Sequence, residues 1–204
     1  MAIADQLIDA LNAVFGKQQP GSRAVHAKGI VTQGTFTPSA TAAQVSTAPH
    51  LQKMAVPIIC RLSDFAGVPT IPDADGGATP HGMALRFQLP GGAETDIVCH
   101  SFNGFPTANA EQFLEFAVAL GTSGPNAPKP TPLDKYLASH PIAASFLGSL
   151  QPPPVSNATL SFFGVNTFTF TNASGKATFG RYQIRPTAGE QFLSKDQIAS
   201  ADAN

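Results

Sequence analysis

An α+β fold, an antiparallel sheet curled into a barrel with helices flanking it, is what the sequence predicts. Eighteen Gly and 18 Pro in 204 residues exceed average usage and suit short strands joined by tight turns. Fifteen Phe supply aromatic surface for a core. Hydrophobic alternation with the period of a strand is clearest at Met83, Leu85, Phe87 and Leu89, which interleave with Ala84, Arg86 and Gln88. These features argue against a helical bundle. No period of about 20 to 50 residues recurs that would indicate a solenoid, and the length is that of one domain.

The elements follow in order. Leu7, Ile8, Leu11, Val14 and Phe15 share one face of a helix over 4–15, with Gly16 as its stop. Arg23 to Thr37 is β-branched and punctuated by glycine, and Val56 to Leu62 is mostly apolar; both read as strands. Pro90-Gly91-Gly92 turns the Met83–Leu89 strand into Thr95–Cys99, making a hairpin with one buried face. Asn109 caps a helix over 110–120, with Gln112 at the capping-box position, Gly121 as terminator and Phe113, Phe116, Ala117 and Leu120 facing the core. After a Pro/Gly-rich connection, Thr131-Pro132-Leu133-Asp134 restarts a helix with a cap, an N1 proline and an early acid. Pro152-Pro153-Pro154 closes that stretch. Phe162, Val165, Phe168 and Phe170 lead through Asn172-Ala173-Ser174-Gly175 into Ala177–Ile184, a second hairpin. Ser194 begins a last short helix.

Composition narrows the function. Charged residues are 12% against an average of roughly 25%, and 12 Lys+Arg facing 13 Asp+Glu leave no basic excess for nucleic acid or an anionic membrane. No apolar run approaches the about 18 residues of a membrane span. Met1-Ala2-Ile3-Ala4-Asp5 lacks the basic and apolar regions of a secretory signal, so a cytoplasmic location is expected. Cys60 and Cys99 are too few for a disulfide framework and read as small buried apolar groups. Phosphate-loop, dinucleotide-binding, serine-elbow, His-Glu-x-x-His and paired Cys-x-x-Cys motifs are all absent.

The five histidines are the remaining carriers of chemistry. His50 and His140 fall in loop or helix-start settings and read as solvated or capping groups, and His81 follows Thr79-Pro80 as a structural turn residue. His26 and His100 sit in apolar strand-like segments, where an imidazole must find a partner and where a general acid/base can be tuned.

Arg23-Ala24-Val25-His26-Ala27-Lys28-Gly29 resembles the distal haem motif of the catalase superfamily. Val56-Pro57-Ile58-Ile59-Cys60-Arg61-Leu62-Ser63 with Ala66-Gly67 is similar to the strand carrying a haem-propionate arginine and the serine that supports the distal histidine. His81-Gly82-Met83-Ala84-Leu85-Arg86-Phe87, Thr95-Asp96-Ile97-Val98, and Phe163-Gly164-Val165-Asn166 through Gly180-Arg181-Tyr182 match further strands of the same barrel. The likeness is nearest to the small catalase-related haem peroxidases and runs over nearly the whole chain. It implies a single catalase-like barrel domain over 1–204, with a helix at 4–15, barrel strands over about 23–100 and 159–185 and a helical insertion over 110–150.

That resemblance implies haem b as cofactor, with no separate metal, and hydrogen peroxide or a small organic hydroperoxide as substrate. It makes His26 the distal acid/base and Ser63 its support, Arg23 and Arg61 the partners of the haem propionates, and Val25 a channel residue. Phe105 and Phe113 are the aromatics beside the haem. His100 stands where large catalases place an asparagine, and could donate a hydrogen bond to bound peroxide. All of these are expected to converge on one cavity. The family ligates iron through a late tyrosine; neither Tyr136 nor Tyr182 matches its setting, so the expectation is a chain with the distal but not the proximal side. The electron donor is unassigned, self-association is expected, and the alternatives are a fatty hydroperoxide isomerase like allene oxide synthase or a non-enzymatic barrel binding an apolar ligand.

Overall fold

The computed structural model describes residues 1–16 and 21–201. Its helices are α1 (Ile3–Phe15), α2 (Ala42–Val45), α3 (Ala110–Gly121), α4 (Pro132–Ser139), α5 (Pro141–Gly148) and α6 (Lys195–Ala199). Its strands are β1 (Gly29–Phe36), β2 (Val56–Ser63), β3 (Gly82–Gln88), β4 (Glu94–His100), β5 (Phe162–Phe163), β6 (Phe168–Thr171), β7 (Ala177–Gly180) and β8 (Gln183–Ile184). Six strands form one antiparallel curled sheet in the order β1-β2-β3-β4-β5-β8, a half-barrel, and β6 and β7 form a separate ribbon.

Register assigns the two faces of the sheet. Val56, Phe87, Ile97 and Cys99 point to one side, where Leu160 and Phe162 complete a core with Phe36, Leu62 and Tyr182 against it. Burying one large side chain there contributes about 2 to 3 kcal/mol. On the other face Val31, Arg61, Ala84 and Val98 lie in one cross-strand row. Both valines are more than half exposed. Two rows along, Gly29, Ser63, Gly82 and His100 make a second row at the sheet's end. Far from that end, Arg86 holds Asp96 with two bonds of 3.0 Å at the surface.

Helix α1 packs on α3 through Ala10, Leu11 and Ala117. The local signals that start the helices act as the sequence predicts: Asn109 accepts from the backbone of Gln112, and Thr131 with Asp134 and Ser194 with Gln197 form complete capping boxes. Both cysteines are free and buried.

Three expectations change. Residues 23–28 are not strand: His26 and Ala27 donate their backbone N–H to Phe65 and Ala66, so these groups are bonded to the 64–81 connection rather than to the sheet. The Ala177–Ile184 strand divides, β7 pairing with β6 and β8 with β5. His50 is not solvated; it is 5% exposed, its ring lies 4.6 Å from Phe87, and its Nε2 is 3.2 Å from the Tyr182 hydroxyl. His140 keeps its capping place between α4 and α5, stacked on Tyr136 at 3.8 Å.

The other ring nitrogen of His50, Nδ1, is buried without a partner. Tyr182→Phe would leave the imidazole with no hydrogen bond, so it is expected to lower stability by about 1 to 3 kcal/mol. Denaturant unfolding at neutral pH measures this.

Candidate functional site

His26 occupies a left-handed backbone position, φ 55°, which a non-glycine residue holds only when its surroundings impose it. Three contacts impose it here. The His26 N–H donates to the Phe65 carbonyl at 2.8 Å, Arg61 donates from its guanidinium to the His26 carbonyl at 2.8 Å, and Gly67 lies so close to the Ala24 carbonyl that a Cβ would collide with it. The ring then rests edge-on to Phe65, centroids 5.7 Å apart, with Nδ1 3.1 Å from Ser63 Oγ.

Glycine makes that contact possible. A Cβ on Gly82 would fall 2.8 Å from Ser63 Oγ and 2.9 Å from the His26 ring, inside any tolerable separation. Gly29, on the other side of Ser63 in the same row, clears the Arg61 guanidinium.

Burial, followed by the neighbouring Arg61, lowers the His26 pKa to about 4, with His100 and Arg23 adding to the effect and a hydrogen bond to the Asp64 backbone opposing it. The imidazole is therefore neutral near pH 7. With the proton on Nδ1, Ser63 Oγ accepts and Nε2 keeps a lone pair.

His100 closes β4 and its pKa is likewise lowered by burial, against an opposing hydrogen bond to the Gly104 backbone. Its Nε2 is buried and is left without a protein group to hydrogen-bond.

The two histidines line one cavity of about 290 Å³ together with Phe65, Val98, Phe105, Phe113 and Phe116. Ser63, His100, Phe105 and Phe113 thus gather about His26 as the sequence predicts. Arg61 reaches it from behind, through the His26 carbonyl. Arg23 and Val25 do not share the cavity. They line a separate hollow against α1, with Leu11 and Asn12, and Val25 packs in the α1–α3 cluster. The irregular backbone of 23–28 removes the strand alternation on which their convergence depended.

Arg23 lies near enough to act on Arg61: burial first, then Arg23, lowers the Arg61 pKa. Neither has a carboxylate partner among the described residues. Two neighbouring cations without a carboxylate suit an anionic group. No cluster of three or more His, Cys, Asp or Glu side chains able to hold a metal occurs among the described residues. Neither phenol reaches the cavity: the Tyr136 hydroxyl donates to the Gln112 carbonyl at 3.2 Å and that of Tyr182 meets His50.

Sequence reasoning missed Gly82, Phe65 and a buried Asp64–His81 pair 3.1 Å apart. An interior strand glycine signals close approach and could have found Gly82; the others depend on tertiary contact.

The catalase family model matches residues 1–204. The chain belongs to the catalase family. Among its relatives, a catalase-related peroxidase of Mycolicibacterium paratuberculosis is 36% identical over 97% of this chain and 62% of its own length. A catalase-related peroxidase of Synechococcus elongatus is 31% identical over 98% of this chain and 59% of its own. The catalase-family chain therefore spans about three fifths of the length of these two relatives. A solved bacterial catalase shares its fold, with TM-score 0.74 at 24% identity, over 96% of this chain and 38% of that one. No helix of the described residues is long and apolar enough to cross a membrane.

Burial lowers the pKa of His26, to about 4, and of His50 and His100, so in the window below the ordinary 6.5, which for His26 runs down to about 4, the unfolded chain binds more protons than the folded one. Stability contributed by these neutral histidines is present above pH 6.5 and is lost as pH falls through that window. Denaturant unfolding between pH 4 and 7 is expected to show a rising stability with pH, and His26→Gln should flatten the slope.

Proposed function

We propose that this chain carries the peroxide-handling side of a haem peroxidase that reduces hydrogen peroxide or a small organic hydroperoxide. The observation that supports it best is a neutral imidazole, His26, fixed at Nδ1 by Ser63 with Nε2 basic, beside a second buried histidine, His100, in an apolar cavity.

The residues present fit the distal side of a haem. Val98, Phe105 and Phe113 would lie against its ring, and the unpaired Arg23 and Arg61 would take its carboxylates. Bound there, haem would supply the two electrons that reduce the O–O bond.

The protein's own part is proton movement. His26 Nε2 takes the proton from the peroxide oxygen that is to stay and returns it to the outer oxygen. The O–O bond breaks with its electron pair on that outer atom, which leaves as water or an alcohol. Two electrons and two protons from an unidentified donor complete the balance, one hydroperoxide giving one alcohol or water and a further water. Ser63 preserves the tautomer throughout, and His100 Nε2, unpartnered in the protein, hydrogen-bonds the peroxide and orients it. The phenylalanines exclude bulk water, which strengthens each of these bonds.

Haem titration of the 204-residue chain, followed by a peroxide-dependent dye assay and product analysis, tests this reading. His26→Ala is expected to cost roughly a hundredfold or more in kcat/KM, and Ser63→Ala less, because geometry is loosened while the base remains. Undiminished turnover without His26 would overturn it. Isomerised products from a fatty hydroperoxide, without dye oxidation, would assign the site to the other branch.

A further inference from the structure

The connection between β2 and β3, residues 64–81, begins and ends on a pair of side chains that hold each other. Asp64 Oδ1 and His81 Nδ1 are 3.1 Å apart, and both side chains are nearly fully buried, at 6% and 3% exposure. Asp64 follows Ser63 and His81 precedes Gly82, the two residues that meet the His26 ring from adjacent strands. Between them the connection supplies Phe65, Thr79 and Pro80 to the cavity wall. The His81 backbone is tied to β4's end as well: its N–H donates to Ser101 Oγ at 2.9 Å and its carbonyl accepts from the Ser101 N–H at 2.8 Å. Ser101 is the neighbour of His100.

We propose that the Asp64–His81 pair is a positioning clamp for the cavity histidines, closing the neck of the 64–81 connection so that Ser63, Phe65 and Gly82 fix the His26 ring while His81 aligns the end of β4 that bears His100. This deepens the peroxidase reading, on which its catalytic meaning rests, although the geometry of the clamp does not depend on haem. The two side chains do not line the His26 cavity.

Stability alone is a weak reason for such a pair. Desolvating an aspartate and an imidazole offsets much of what their contact contributes, and an apolar pair of similar size often serves a core as well. What an apolar pair lacks is direction. A hydrogen bond of fixed length at the neck sets the spacing of two strand ends, whereas packed methyl groups permit sliding. Asp64 Oδ2 and His81 Nε2 have no protein partner, and the two residues line a separate hollow of about 320 Å³ with Asp73 and Pro154.

The test is histidine side-chain NMR on the ¹⁵N-labelled full chain without haem, titrated from pH 3 to 8, beside thermal unfolding. In the parent chain His26 is expected to titrate at about 4. Asp64→Ala and His81→Ala should open the neck, admit water and raise the His26 pKa by roughly one unit or more. Asp64→Asn, whose amide oxygen can still accept from Nδ1–H, should keep it near the parent value. The double change Asp64→Leu with His81→Leu guards against simple loss of folding: it is expected to recover thermal stability and yet leave the His26 pKa raised. A Leu–Leu variant in which His26 still titrates at about 4 would overturn the proposal, as would alanine variants that lose stability with no change at His26. In haem-loaded protein the alanine variants should lose kcat with KM little changed. The NMR result decides the clamp whether or not the parent chain turns over peroxide, so failure of the peroxidase reading is seen separately, as a parent chain without turnover.

Discussion

The contact between His26 Nδ1 and Ser63 Oγ, 3.1 Å long, is the constraint around which this end of the sheet is built. An imidazole useful as a base must be neutral, must hold its proton on a known nitrogen and must be shielded from water, and these needs conflict. Burial keeps it neutral, but burial also demands a partner for each polar atom. Ser63 meets that demand on one side and leaves the other nitrogen for a reactant. To bring the two together the chain accepts a left-handed backbone at a non-glycine residue and places Gly82 beneath the ring, since any side chain there would occupy the same volume. The alternation of Gly29, Ser63, Gly82 and His100 across four strands is thus a steric pattern before it is a chemical one.

Electrostatics reinforces the same arrangement. Arg61 binds the His26 carbonyl, which fixes the backbone, and its charge also disfavours protonation of the ring. One side chain serves geometry and basicity together. Its companion Arg23 approaches from the α1 side, so that two cations from different parts of the chain stand near each other without a carboxylate. Mutual repulsion and desolvation make this arrangement unfavourable in the protein alone; an anionic ligand would reverse the sign.

Much of this was legible in the sequence where the determining interaction is local. Helix starts were read from Asn109, Thr131 with Asp134, and Ser194, because a cap is decided within four residues. The hairpin from β3 to β4 was read from its alternation and its Pro-Gly-Gly turn. The catalase-like fold followed from several ordered motifs, and with it the pairing of His26 with Ser63. What escaped was set by distant contacts. Residues 23–28 have the composition of a strand, yet their N–H groups find Phe65 and Ala66 instead of a sheet neighbour, and that reassignment carries Arg23 and Val25 out of the His26 cavity. His50 looks like a loop residue until Phe87 and Tyr182, far along the chain, enclose it. Asp64 and His81 are neighbours only because β2 and β3 are.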